Sequence, residues 1–223
     1  MRKATRMSDV ITLTDPRSPI AEAYRSLRTN LSFVRPDEPL HTLLVTSPAP
    51  DADKAEVAAN LAVVSAQAEL RVILVDADLR RPAQHARFGL DNAQGLTNAL
   101  VADLPDGPPL QPTALPGLFV LTSGPLPPNP AELLASRRMR ALLADLATRA
   151  DLVIIDAPPL VAVSDAAVLA PLVDGVLLVL AAGRSRRDHA AQARETLATV
   201  GATLLGVVLT EVEPDNAAYG AYR

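Results

Sequence analysis

Six short apolar runs, spaced through the chain, constrain its fold more than any other feature. Thr42–Thr46 (TLLVT), Arg71–Val75 (RVILV), Leu118–Leu121, Leu152–Ile155 (LVII), Gly175–Leu180 and Leu204–Leu209 are continuous rather than alternating. A strand apolar at every position must be covered on both faces, as in a parallel sheet sandwiched between helices. Helical stretches are expected between them, over about 54–68, 131–150, 164–172 and 188–200. A further helix opens at Ser18, an N-cap followed by Pro19 in the first turn, and runs to about Phe33. Such alternation predicts an α/β class: a doubly wound, mostly parallel sheet flanked by helices. The proline-rich patches at 103–116 and 124–130 read as surface loops rather than linkers. With no linker and no internal repeat in 223 residues, one domain is expected. Its predicted limits are 18–210, between a flexible segment 1–17 and a flexible, tyrosine-bearing tail 211–223.

Composition narrows the function. The chain has no cysteine, which excludes disulfides, thiolate metal sites and cysteine nucleophiles. A net charge of -4 gives no electrostatic footprint for nucleic acid, and only 3% aromatic residues leave no base-stacking platform. No apolar run approaches the roughly 20 residues that span a bilayer. The basic start, Met1–Arg6, is followed by no apolar signal core. A cytoplasmic protein is expected, with a solvated N-terminus preferred over one resting on an anionic membrane.

In doubly wound sheets ligands bind beyond the carboxyl ends of the strands. Three such ends here carry reactive side chains. The first leads into Ser47-Pro-Ala-Pro-Asp-Ala-Asp-Lys-Ala-Glu56, the second into Asp76 and Asp78, and the fourth into Asp156. A lysine-bearing strand–loop–helix beside strand-end aspartates is the layout of a P-loop NTPase. The lysine reaches the terminal phosphates; the aspartates hold magnesium or orient the attacking group. A lone strand-end aspartate would read as a turn or capping residue, but three in this order favour the nucleotide scaffold.

The loop departs from that pattern. G-x-x-x-x-G-K-[ST] falls on Pro48–Ala55, where only Lys54 matches. Asp53 replaces a glycine that permits close backbone approach. Asp51 and Asp53 place carboxylates where a phosphate nests among backbone N–H groups. Each like charge about 4 Å from a phosphate costs about 1 to 4 kcal/mol. Ala55 lacks the hydroxyl that ligates magnesium, and Glu56 adds a third acid. Without a phosphate, these acids are expected to cap the helix and neutralise Lys54.

Four stretches carry a resemblance along nearly the whole chain: Ser18–Asn30 (SPIAEAYRSLRTN), Val75–Pro82 (VDADLRRP), Gly124–Leu134 (GPLPPNPAELL) and Val153–Pro159 (VIIDAPP). They resemble the bacterial tyrosine kinases (BY-kinases) of capsule and exopolysaccharide synthesis. That resemblance implies Mg-ATP as cofactor, Lys54, Asp76 and Asp78 as catalytic groups, and Asp76 and Asp156 as magnesium ligands. Residues 51, 53, 54, 55 and 56 would form the nucleotide loop, degenerate here. Glu22, Arg25 and Arg28 match an E-x-x-R-x-x-R signature that joins subunits of a homo-oligomeric ring; on spacing alone it equally suits an exposed intrahelical ion-pair stripe. Tyr219 and Tyr222, two of the three tyrosines, match the phosphoacceptor tail. Arg80 and Arg81, in the same loop as Asp78, could face a neighbour or phosphates, or simply solvent. Thr210 stands where relatives carry an asparagine that reads adenine.

The reading that combines these features is a cytoplasmic pseudokinase with weak or no ATP binding, with a peripheral position at the inner face of the membrane as a further expectation. It would act through ring assembly with a separate transmembrane activator of the polysaccharide co-polymerase type. An active kinase transferring the ATP γ-phosphoryl group to a neighbour's Tyr219 or Tyr222 is the enzymatic alternative. A partition-type positioning ATPase is the alternative of another class, disfavoured by the lack of a basic amphipathic helix.

Overall fold

The computed structural model describes residues 10–34, 38–50 and 52–212. The elements run α1 (Ile11–Thr14), α2 (Pro19–Val34), β1 (Thr42–Thr46), α3 (Lys54–Ala66), β2 (Val72–Asp76), α4 (Gln84–Phe88), α5 (Leu96–Val101) and β3 (Gln111–Pro112). There follow β4 (Leu118–Leu121), α6 (Pro130–Leu134), α7 (Arg137–Arg149), β5 (Leu152–Asp156), α8 (Asp165–Leu169), β6 (Gly175–Ala181), α9 (Arg187–Thr199) and β7 (Leu204–Thr210).

Seven strands form one sheet in the order β3-β4-β2-β5-β1-β6-β7. All pairings are parallel except β3 with β4. The period-two pleat explains the unbroken apolar runs. Leu43, Val45, Leu74, Ile154 and Val179 face the layer of α2 and α3. Leu44, Ile73, Val75, Ile155 and Leu178, one position away, face the layer of α7, α8 and α9. The central strands β1, β2 and β5 are buried at every position. Cutting Leu74 back to alanine there would cost about 2–5 kcal/mol.

Two expectations need correction. The segment before Ser18 is not all loose: Val10 and Thr12 are fully buried, and Thr12 donates to Asn60 Oδ1 of α3 from both its amide and its hydroxyl, at 3.0 and 2.9 Å. The stretch 131–150 is two helices. The first ends at Leu134, and Ser136 caps the second by accepting from Met139 N–H at 3.2 Å. Ser18 caps α2 as expected, its hydroxyl accepting from Ala21 N–H.

The Gly124–Pro130 loop starts from a required glycine. Gly124 has φ +73°, and a Cβ there would lie 2.7 Å from Asn98 Oδ1 and 2.9 Å from Gly95 N.

Candidate nucleotide site

Parallel pairing of β2 with β5 sets Asp76 opposite Asp156, and β1 beside β5 delivers the loop to α3 at the same sheet edge. Lys54, in the first turn of α3, reaches back to both neighbouring strand ends. Its Nζ donates to Asp78 Oδ2 at 2.8 Å and to Asp156 Oδ1 at 2.9 Å, and all three residues are buried. Burial works against the charge on Lys54, but Asp156 and Asp78 more than reverse it, so its pKa is raised.

Most carboxylate oxygens in this cluster have a protein partner. Asp156 Oδ2 accepts from Gln84 Nε2, and Asp78 Oδ1 accepts from Arg81 N–H. Asp76 Oδ2 accepts the amides of Ala83 and Gln84 at 3.0 and 2.9 Å. Asp76 Oδ1 is fully buried and has no partner among the described residues. Burial, then the nearby Asp156, push the Asp76 carboxyl up to about 8, against the opposing pull of the Gln84 amide and Lys54. The upward shift favours the protonated form of Asp76, which lowers the repulsion within the cluster. Among the described residues no group of three or more His, Asp or Glu is arranged to hold a metal ion.

The loop acid is engaged differently from expectation. Asp53 caps α3, its Oδ1 accepting from Glu56 N–H at 2.9 Å. Its charge is met by Arg87 Nη2, at 2.8 and 2.7 Å from the two oxygens. The expected neutralisation of Lys54 by loop acids is therefore corrected for Asp53: Lys54 is held by Asp78 and Asp156, because its long stem carries the ammonium inward while the capping side chain stays at the rim. Asp51 lies outside the described residues, as do Tyr219 and Tyr222. Ala55 offers only its carbonyl, which accepts from Gln84 Nε2 at 3.0 Å. Thr210 turns its hydroxyl to Leu180 O.

Arg80 faces neither solvent alone nor an open anion site. It forks onto the fully buried Asp165 at the start of α8, at 2.8 and 3.0 Å. Glu22 and Arg25 pair on α2 at 2.8 Å, both partly exposed, and Arg25 also donates to Pro16 O. Arg28 sits farther along the same face.

Sequence reasoning missed Gln84, Arg87, Asp165 and Tyr24. Gln84 is buried and links Asp156 to the Ala55 carbonyl, in a helix too short for a periodic signal. Tyr24 is buried beside α3, its phenol pKa raised by burial and by Glu56 and Asp53. A tyrosine at an inward position of the amphipathic α2 was the available clue.

A lysine at the head of the first crossover helix, locked to two strand-end aspartates of a parallel sheet, defines a P-loop-type nucleotide-binding domain. The family model described as CobQ/CobB/MinD/ParA nucleotide binding domain matches residues 43–220. Within that class the chain belongs to the bacterial tyrosine-protein kinases. It is 41% identical to the tyrosine-protein kinase YwqD of Bacillus subtilis, over 99% of this chain and 94% of that one. The crystal structure of the chimerical protein CapA2B2 superposes with a TM-score of 0.87 at 39% identity, over 93% of this chain and 91% of the other. The kinase domain of the Escherichia coli tyrosine kinase ETK gives 0.85 at 35% identity, over 92% and 82%.

Proposed function

We propose that this chain is a pseudokinase of the family, a regulator of capsule or exopolysaccharide synthesis that keeps the scaffold and does not use Mg-ATP. One observation carries the reading: Lys54 and the amino end of α3, the two features that receive phosphate in a P-loop, already hold this chain's own carboxylates. The magnesium fit fails on the same grounds. Ala55 brings no hydroxyl, and of the six oxygens on Asp76, Asp78 and Asp156 only Asp76 Oδ1 lacks a donor among the described residues. A phosphate would have to displace Asp53 from the helix while meeting the charge of Glu56.

What remains is an assembly function. Glu22, Arg25 and Arg28 would contact a neighbouring copy in a ring, a separate transmembrane protein would bring the ring to the membrane, and Tyr219 and Tyr222 would serve as acceptors for another kinase. The convergence of Lys54, Asp76, Asp78 and Asp156 supports the second reading, an active autokinase.

Titration calorimetry with Mg-ATP separates the two. The natural chain is expected to show no binding at millimolar nucleotide. The variant carrying Asp51→Gly, Asp53→Gly, Ala55→Ser and Glu56→Thr is expected to gain it. Micromolar binding by the natural chain, with phosphate on Tyr219 or Tyr222, would establish the autokinase instead.

A further inference from the structure

At the opposite end of the sheet, below the amino ends of β1 and β5, α2 and α3 diverge around a cavity of about 690 Å³. That is within the range of about 300–1,000 Å³ typical of small-molecule sites. Its walls follow from helical spacing. Arg28, Leu31 and Ser32 fall on one face of α2, and Leu61, Ser65 and Ala68 line it from α3 and the turn after it. Leu70 and Leu152 complete a mostly apolar lining.

Arg28, Thr29, Ser32, His41, Ser65 and Asp151 interrupt that lining. Arg28 makes no hydrogen bond or ion pair among the described residues, whereas Arg25, one turn earlier, is paired with Glu22. Ser65 is fully buried, and its Oγ is the one buried side-chain atom of the lining without a partner among the described residues. The single acid of the lining, Asp151, is turned to the Arg71 amide, from which its Oδ2 accepts at 2.7 Å. An apolar chamber with an unpaired guanidinium on its wall complements a molecule with an apolar body and one negative end. A carboxylate or phosphate monoester meets a guanidinium with two parallel N–H···O bonds.

We propose that this cavity binds a free single-chain amphipathic anion, its head paired with Arg28 and its apolar body lying against Leu31, Leu70 and Leu152. The site is remote from Lys54 and its aspartates, so the proposal stands or falls independently of the state of the phosphate loop. Arg28 is also the third member of the set assigned above to subunit contact.

The test uses decanoate as probe, with decanol as its uncharged counterpart, in titration calorimetry on the full chain. Saturable one-to-one binding of decanoate is expected, with decanol about tenfold weaker. Arg28→Gln should weaken decanoate about tenfold and leave decanol unchanged, and Ala68→Trp, which fills the chamber from a half-buried position, should abolish both. Thermal melts of the two variants, matching the parent within a few degrees, exclude unfolding as the cause. Absence of decanoate binding, binding indifferent to Ala68→Trp, or equal affinity for decanol would overturn the proposal. Binding only to phosphatidylglycerol vesicles, with none to decanoate, would also overturn it and assign the face to a membrane surface.

Discussion

Two loops leave the same edge of the sheet, and they have kept different things. The loop after β2 retains Asp76, Asp78 and Arg80, each tied to the protein: to the amides of Ala83 and Gln84, to Lys54, and to Asp165. The loop after β1 retains Lys54 but carries Asp53, Ala55 and Glu56 in the positions that would receive phosphate and magnesium. The difference teaches that an anion site is made of donors left free. The aspartate loop could serve a nucleotide only if its lysine were released, and the first loop has spent its helix-end amide on Asp53.

The contrast breaks most sharply at Lys54. Lys54 donates to two buried acids, Asp78 and Asp156. Lys54→Met should therefore cost about 3–5 kcal/mol of folding stability in urea denaturation, the cost of orphaning a buried charge partner. A loss below about 1 kcal/mol would mean the cluster does not depend on its cation.

The next effect is one of pH. The Asp76 carboxyl, at about 8 in the folded chain against an ordinary 3.8, holds its proton more tightly folded than unfolded. Its contribution to stability is thus complete below the unfolded value and is lost as pH rises through about 8. Between pH 6 and 7.5 this amounts to about 2 kcal/mol. Asp76→Asn, which mimics the protonated acid, should flatten that slope, and denaturation curves of both proteins at the two pH values check it. An unchanged slope would place the proton elsewhere.

Asp53 should matter less. Asp53→Ala removes the α3 cap and the partner of Arg87, at a cost of about 1 kcal/mol by the same measurement. The smallest expected effect on folding belongs to Glu22→Ala, within about 0.5 kcal/mol because the Glu22–Arg25 pair is solvent-exposed. Sedimentation velocity is the informative readout there. A fall in assembled species with unchanged stability would support the proposed contact role of α2; an unchanged distribution would count against it.

Much of this architecture is legible in the sequence because continuous apolar runs admit few alternatives. All six predicted strands are present, shifted by at most one residue at either end. What the sequence hid was short or long-range. Pieces of five or six residues, such as α4 and α5, are too brief to show a period, and β3 is a two-residue edge inside a proline-rich loop. The residues of the site were visible as strand-end acids and one lysine. Their pairing was not, since Lys54 finds partners 24 and 102 positions away. The loop acids were the expected partners of Lys54, and packing depth decides otherwise for Asp53: the capping carboxylate stays half-exposed at the helix end, while the ammonium reaches the buried Asp78 and Asp156.

The attachment of α1 to α3 also bears on how the protein is best handled. Thr12 satisfies Asn60 Oδ1 twice over, while Asn60 Nδ2 donates to Glu56 O in the opening turn of α3. A recombinant fragment trimmed to begin at Ser18 would strip both donors from a buried amide and uncover the apolar side of that helix. Trimming the leader for crystallisation should therefore stop short of Val10, or the shortened product will report the instability of its own new end rather than the properties of the domain.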